Sequence, residues 1–370
     1  GENIMHALKR FGTAFGGYKM MENYPVPECG PDDIILEIKA AAICGADMKH
    51  WGVDNGYDDT NITPDQQQSV RGHEFAGEIV KVGENVKDWH VGQRVVSDNS
   101  AHVCGVCPAC EQGDFLCCEH KVNLGLDNNT WGGGFSKYCK VPGEILAIHK
   151  HAIWEIPEGI KYEEACVLDP ICNAYKAVAQ QSHLIPGQDV VVFGTGPLGL
   201  FSVQVAKLMG AVNIVMVGLD DDVKVRFGVA KELGATHCVN GSKEDVVARC
   251  TEICGRDNLG LVIECSGANI ALKQAIEMTR PNAEIVRVGM GFKPLEFSIN
   301  DITAWNKSII GHMAYDSTSW RNCIRLLQSG QIKVQPMITH RLGLSQWQEG
   351  FDKMAKKEAI KVIFHYDYED

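Results

Sequence analysis

Four cysteines in the stretch HVCGVCPACEQGDFLCCEH carry the strongest chemical signal in the sequence. Cys104, Cys107 and Cys110 are separated by two residues each, and Cys118 follows after seven more. A chain with that spacing can fold back so that four thiolates surround one zinc ion, and a closed shell of four leaves no position for a substrate. Such a zinc is structural. Cys117 sits beside Cys118, and adjacency leaves open which of the two binds. A zinc ribbon that reads nucleic acid has two separated CxxC pairs in a basic surround, and neither is present here.

A second group of possible ligands is scattered. Cys44 lies in AAICGADMKHW, His73 and Glu74 follow Gly72, and Asp169 precedes Pro170 in EEACVLDPICNAY. A thiolate, an imidazole and one or two carboxylates make a zinc site that protein need not fill alone, which is what metal catalysis requires. Taken singly, each has a plainer account: a small core cysteine, a satisfied structural histidine, an aspartate shaping a turn.

The third signal is Gly194-Thr195-Gly196-Pro197-Leu198-Gly199, directly after the apolar run Val190 to Phe193. The first glycine permits a tight turn, the second lets a pyrophosphate approach the backbone, and the third lets a helix pack on the strand. A dinucleotide fold places an acid at the end of its next strand for the ribose hydroxyls. Gly218 stands there instead, and Asp220, Asp221 and Asp222 follow. These carboxylates would repel a 2′-phosphate, which favours NAD over NADP, with Asp220 as the expected contact; the same triplet would also serve as a helix cap.

These groups need two kinds of scaffold. The first half of the chain shows short strand-like runs, Ile34 to Ile38, Glu78 to Val82, Arg94 to Val96 and Glu144 to Ile148, separated by turn residues. That texture predicts a β-rich, barrel-like domain over 1–160. From about Pro157 the rhythm changes to strands alternating with helices. Val190 to Phe193, Ile214 to Val217, Leu261 to Glu264 and Glu284 to Val288 read as strands, and Leu198 to Met209 and Val223 to Leu233 as helices. The pattern predicts a doubly wound parallel sheet of the Rossmann type over 161–305. After about Trp305 the alternation stops, and residues 306–370, with the apolar run Ile360 to Phe364, are expected to return to the first domain.

Composition bounds the rest. The 370 residues are 45% hydrophobic, with 47 acidic against 35 basic side chains, a formal charge of −12. An acidic chain without a basic block is a poor partner for nucleic acid. The longest apolar region, Leu184 to Val217, is cut by Pro186 and several glycines, so no membrane span is expected. The first residues, GENIMHALKRFG, lack the apolar block of a secretory signal, and a cytoplasmic protein is the expectation. Fifteen cysteines in such a chain fit thiols and metal better than a disulfide framework.

Taken together, these residues resemble the zinc-containing medium-chain dehydrogenase family, and the likeness spans nearly the whole chain. The GHE signature stands as Gly72-His73-Glu74 with Gly77 and Gly83 in place, the catalytic cysteine as Cys44, and the structural lobe, at about 98–121, as Cys104, Cys107, Cys110 and Cys118. The resemblance implies a GroES-like catalytic domain split around the Rossmann domain, two zinc ions per chain, and a homo-oligomer, dimer or tetramer. It implies hydride transfer between a secondary alcohol of a polyol or sugar and a nicotinamide cofactor; threonine, a simple alcohol, or a homologue that binds metal and nucleotide without turnover are the alternatives. In the sorbitol and threonine dehydrogenase branches the residue after the signature histidine can join the metal shell, and a further acid lies before a proline downstream. Glu74 and Asp169 occupy those positions, although the branch usually has Glu at the second. By position, Asn173 is expected to touch nicotinamide or substrate, and Pro197 and Leu198 belong to the phosphate loop. The family carries Ser or Thr two residues after the cysteine to receive the substrate proton. This chain has Ala46, so the relay falls to His50 first, or to Lys49, Asp47, water or a substrate hydroxyl. The polar residues Asp54, Asn55, Asp58 and Asp59 suit either a hydroxyl-rich ligand or a solvated loop.

Overall fold

The computed structural model describes residues 3–11, 14–49, 51 and 69–370. His50, Asp54, Asn55, Asp58 and Asp59 lie outside the described residues. The chain divides into two compact units, Gly1–Asp169 with Ile338–Asp370, and Pro170–Met337.

The first unit is built on a seven-stranded sheet. Its path runs Ile338–Gly343, Lys361–His365, Ile34–Ala42, Glu74–Val82, Arg94–Ser97 and Ile153–Glu155, with Tyr138–Val141 also paired to Ile34–Ala42. Strand Ile34–Ala42 is long enough to hold three partners: Val141 to Tyr138 opposite its first half, Phe364 and Ile363 opposite Ala41 and Ala42, and Glu74–Val82 along its whole length. Phe75, Phe135, Phe351, Phe364 and Ile34 fill the core beneath. The expected return of the C-terminal apolar run is therefore made by Lys361–His365.

Two expectations change here. Residues Glu144 to Ile148 form a helix, Gly143–Ile148, rather than a strand. Pro142 precedes it as N-cap, Glu144 complements the dipole of its first turn, and only Ile145 of its residues is buried. The strand is the run before it, Tyr138–Val141, whose alternate residues Cys139 and Val141 are buried. The return to the first unit begins at Ile338 rather than at 306, because Ser308–Gly311 pairs in parallel with Glu284–Arg287 and extends the second unit's sheet. That strand was hidden from periodicity by its exposure: three of its four residues face solvent.

The second unit carries six parallel strands in the order His237–Asn240, Ile214–Gly218, Val190–Phe193, Leu261–Glu264, Glu284–Arg287, Ser308–Gly311. Numbered along the chain from Val190, this is 3-2-1-4-5-6, the order of the dinucleotide-binding fold. Val190, Val191, Val192 and Phe193 are all buried, as strands covered on both faces require. Among the described residues no helix is long and apolar enough to cross a membrane.

Candidate metal centres and phosphate loop

The four-cysteine lobe closes as its spacing predicts. The Sγ atoms of Cys104, Cys107, Cys110 and Cys118 lie within 4.8 Å of one another. Each turn presents backbone N–H groups to sulfur: Cys107 N donates to Cys104 Sγ at 3.3 Å, Cys110 N to Cys107 Sγ at 3.5 Å, and Cys104 N to Cys118 Sγ at 3.4 Å. The Cys104 thiol is lowered to about 6, chiefly by the Val106 N–H, while burial pushes Cys110 up to about 12. Four sulfurs this close are suited to a divalent cation, which would hold them as thiolates. Cys118 is buried and belongs to the group, whereas its neighbour Cys117 is exposed.

The scattered residues also come together. Cys44 caps the short helix Gly45–Met48, and His73 and Glu74 stand at the start of the strand Glu74–Val82. One ligand atom from each of Cys44, His73 and Glu74 falls within 4.8 Å of the other two. Zinc bonds of 2.0–2.3 Å set tetrahedral ligands roughly 3.5 Å apart, so a modest closing seats an ion. The donors fit it in another respect. Glu74 Oε2 and His73 Nδ1 are buried without a hydrogen-bond partner, which a protein rarely leaves so unless something else binds there. The Cys44 thiol is pushed well above its ordinary pKa, first by burial and then by Glu74, with Asp47 and Asp169 adding to it against Lys361. A divalent cation reverses that balance.

The structure adds three residues that sequence reasoning missed or left ambiguous. Lys361 is buried, and its Nζ donates to Glu74 Oε1 at 2.5 Å and to the Ile43 carbonyl at 3.0 Å. Burial alone would lower the pKa of this ammonium, but Glu74 outweighs it and holds it above its usual value. Glu74 thus keeps one oxygen for the lysine and one for the trio. Asp47, fully buried, accepts the Cys44 N–H through Oδ2 at 2.8 Å and sets Oδ1 3.8 Å from His73 Nδ1, which ties it to two members of the trio. Asn99 donates to Asp169 Oδ2 at 2.9 Å and to the His73 carbonyl at 3.2 Å. Asp169 stands beside the trio, not in it. Ala46 is half-buried in the Gly45–Met48 turn and offers no hydroxyl.

In the second unit, Gly194 to Gly199 join strand Val190–Phe193 to helix Pro197–Leu208. Gly194 has φ 98°, and a Cβ at Gly199 would lie 1.8 Å from the Gly194 carbonyl oxygen. A Cβ at Gly196 would meet nothing within 4 Å, the open approach a pyrophosphate needs. Of the three aspartates, Asp222 is buried and turns back: Thr195 Oγ1 donates to its Oδ1 at 2.7 Å and the Leu219 N–H to its Oδ2 at 2.8 Å. Asp220 is exposed, with Asn240 Nδ2 donating to its Oδ1 at 2.7 Å. Asn173 meets His312, Oδ1 to Nε2 at 3.0 Å.

A divalent cation held by the trio would polarise an oxygen that completed its shell, and the glycine loop can hold a dinucleotide. Those two capacities define a metal-dependent oxidoreductase. Comparison with known proteins gives the family. Residues 30–151 match the alcohol dehydrogenase GroES-like domain and residues 197–329 the zinc-binding dehydrogenase domain. The chain belongs to the zinc-containing medium-chain alcohol dehydrogenase family, oxidoreductases that use zinc and a nicotinamide cofactor. It is 77% identical over 366 residues to the uncharacterized zinc-type alcohol dehydrogenase-like protein YdjL of Escherichia coli (strain K12), covering 99% of this chain and 100% of the relative. To the sorbitol dehydrogenase of Halalkalibacterium halodurans it is 30% identical over 360 residues, covering 97% and 98%. The crystal structure of 2R,3R-butanediol dehydrogenase from Bacillus subtilis superposes with TM-score 0.83 at 29% identity, covering 98% of this chain and 100% of that one.

Proposed function

We infer that this chain oxidises a secondary alcohol of a polyol or sugar with NAD as hydride acceptor, holding one zinc at Cys44, His73 and Glu74 and a second in the four-cysteine lobe. The observation that carries the reading is the trio, in which Glu74 Oε2 and His73 Nδ1 are buried without a hydrogen-bond partner and no fourth metal-binding side chain joins them among the described residues. Relatives named for sorbitol and butanediol favour a substrate with neighbouring hydroxyls. When bound, zinc supplies a Lewis acid that lowers a hydroxyl's pKa, and nicotinamide supplies the hydride acceptor. The chain's residues do the rest by placement. Cys44, His73 and Glu74 form the ligand set, Lys361 fixes the carboxylate of Glu74, and Asp47 pins the backbone N–H of Cys44. In the second unit, the N–H groups at the start of helix Pro197–Leu208 are set to receive the pyrophosphate, and Asp220 faces solvent where ribose hydroxyls can reach it. Arg226, a guanidinium that a 2′-phosphate would call for, is buried with Asp222 and Asp221 acting on it, which supports NAD.

Without a hydroxyl at Ala46, proton release falls to His50, to water or to a second substrate hydroxyl. The test is a reduction screen with NAD and NADP over polyols, sugars, threonine and simple alcohols, alongside elemental analysis. Two zinc ions per chain and NAD reduction with polyols are expected. Metal and cofactor bound, yet no reduction with any alcohol, would overturn the reading in favour of a non-catalytic homologue.

A further inference from the structure

Asn99 occupies a conformation that needs a reason. Its φ is 60°, in the left-handed region where non-glycine residues are uncommon and asparagine is among the least disfavoured. It is buried, and its backbone is fixed from both sides: its N–H donates to Ser97 Oγ at 2.9 Å and its carbonyl accepts the Leu124 N–H at 2.7 Å. The side chain is fixed as firmly. Asn123 Nδ2 donates to Asn99 Oδ1, which leaves Nδ2 to face two acceptors, the His73 carbonyl and Asp169 Oδ2. Only an amide meets both demands: a carboxylate here would set oxygen against the two acceptors, and an apolar residue would leave them without the donor.

We propose that Asn99 is a positioning residue that holds the Asp169 carboxylate out of the Cys44, His73 and Glu74 trio, so that the fourth metal position stays open to substrate. The proposal rests on that trio being the catalytic zinc site. Asp169 is close enough for its charge to act on both Cys44 and Glu74, yet it is not among the atoms that converge. Entering the trio would cost it the bond to Asn99, and the same amide ties the backbone of the ligand His73 to that carboxylate. Fixing a ligand's backbone and a competing acid with one side chain keeps three protein ligands, the number that leaves a metal reactive.

Cobalt exchanged into this site reports its coordination through the visible ligand-field bands, whose positions shift when a carboxylate replaces a solvent oxygen in the fourth position. Loss of the signal in Cys44→Ser establishes that cobalt sits at the trio; a spectrum indifferent to that change refutes the ligand assignment itself, separately from the role of Asn99. Given that, Asp169→Asn, which removes the charge and can still accept from Asn99, is expected to leave the bands as they are. A changed spectrum would show that Asp169 is a ligand and overturn the proposal. Asn99→Gly, which keeps the left-handed backbone and removes the amide, is expected to shift the bands and lower turnover roughly 10- to 100-fold, the scale of outer-shell losses. Adding Asp169→Asn to it should restore the bands. Asn99→Gly with bands like the wild type would equally overturn the proposal, and the Asp169→Asn arm decides alone if the glycine variant does not fold.

Discussion

Lys361 shows how much of the proposed metal centre depends on a residue remote in sequence. It lies 287 positions from Glu74, inside an apolar strand, where an ammonium is almost never buried unless paired. The run Ile360 to Phe364 marked the strand, and its lysine was the one signal that a buried carboxylate had to stand opposite. Which carboxylate could not be read from one sequence, because the pairing is made by the strand order and not by local spacing. With no metal bound, removing one member leaves the other charge buried and alone, so Lys361→Met is expected to destabilise the metal-stripped protein by about 3–5 kcal/mol in denaturant unfolding. In the same metal-stripped protein, adding Glu74→Gln should recover much of that loss, since both charges are then gone. A single variant as stable as the wild type would mean that Glu74 does not need its cation. Cys44, His73 and Glu74 were legible because their residue types are those of a metal shell. Asp47 and Asn99 were not, because their roles come from what they touch.

At the scale of elements, continuous apolar runs located most strands of the parallel sheet, and the glycine spacing located the phosphate loop. What the pattern did not explain was Gly218, where an acid is expected. The structure supplies the reason: a Cβ there would lie 2.7 Å from Asp222 Oδ2, Phe227 Cε1 and Thr195 Cγ2 alike. The turn Asp220–Asp222 folds the third aspartate back over the strand end, so helix Arg226–Leu233 begins three residues after the expected Val223. Placing the acid where the general pattern puts it should therefore harm the protein. Gly218→Asp is expected to cost about 1–3 kcal/mol, the usual range for overpacking, and to weaken NAD binding, measured by calorimetry. Tighter NAD binding would show that the position is free to accept a side chain. The lobe is the opposite case, since its spacing fixes its geometry almost completely. Cys110→Ser should lower zinc content by one per chain and reduce the melting temperature of the protein, because lobe folding and metal binding are one process. An unchanged metal count would remove Cys110 from the ligand set.

The molecule as a whole carries an excess of acid, with a formal charge of −12, yet one of its acid-sensitive points is a histidine. His312 follows the edge strand Ser308–Gly311, with Nδ1 2.6 Å from Gln181 Oε1 and Nε2 3.0 Å from Asn173 Oδ1. A neutral imidazole has a single N–H, so one of the two amides must turn its NH2 toward the ring. Burial holds the ring neutral, with Lys176 adding to the effect, and lowers its pKa to about 3. The unfolded chain takes up this proton near pH 6.5, the ordinary value, while the folded chain refuses it until about pH 3. Stability from this group is therefore fully present above pH 6.5 and is lost as pH falls toward 3, by up to about 1.4 kcal/mol per pH unit. His312→Gln, which cannot titrate, should lose about 2 kcal/mol less than the wild type between pH 7 and pH 5 when both are unfolded in denaturant. Every other titrating group is common to the two proteins, so the difference isolates this ring. Parallel pH slopes would show that His312 charges freely in the folded state and that the contacts to Asn173 and Gln181 tolerate the imidazolium.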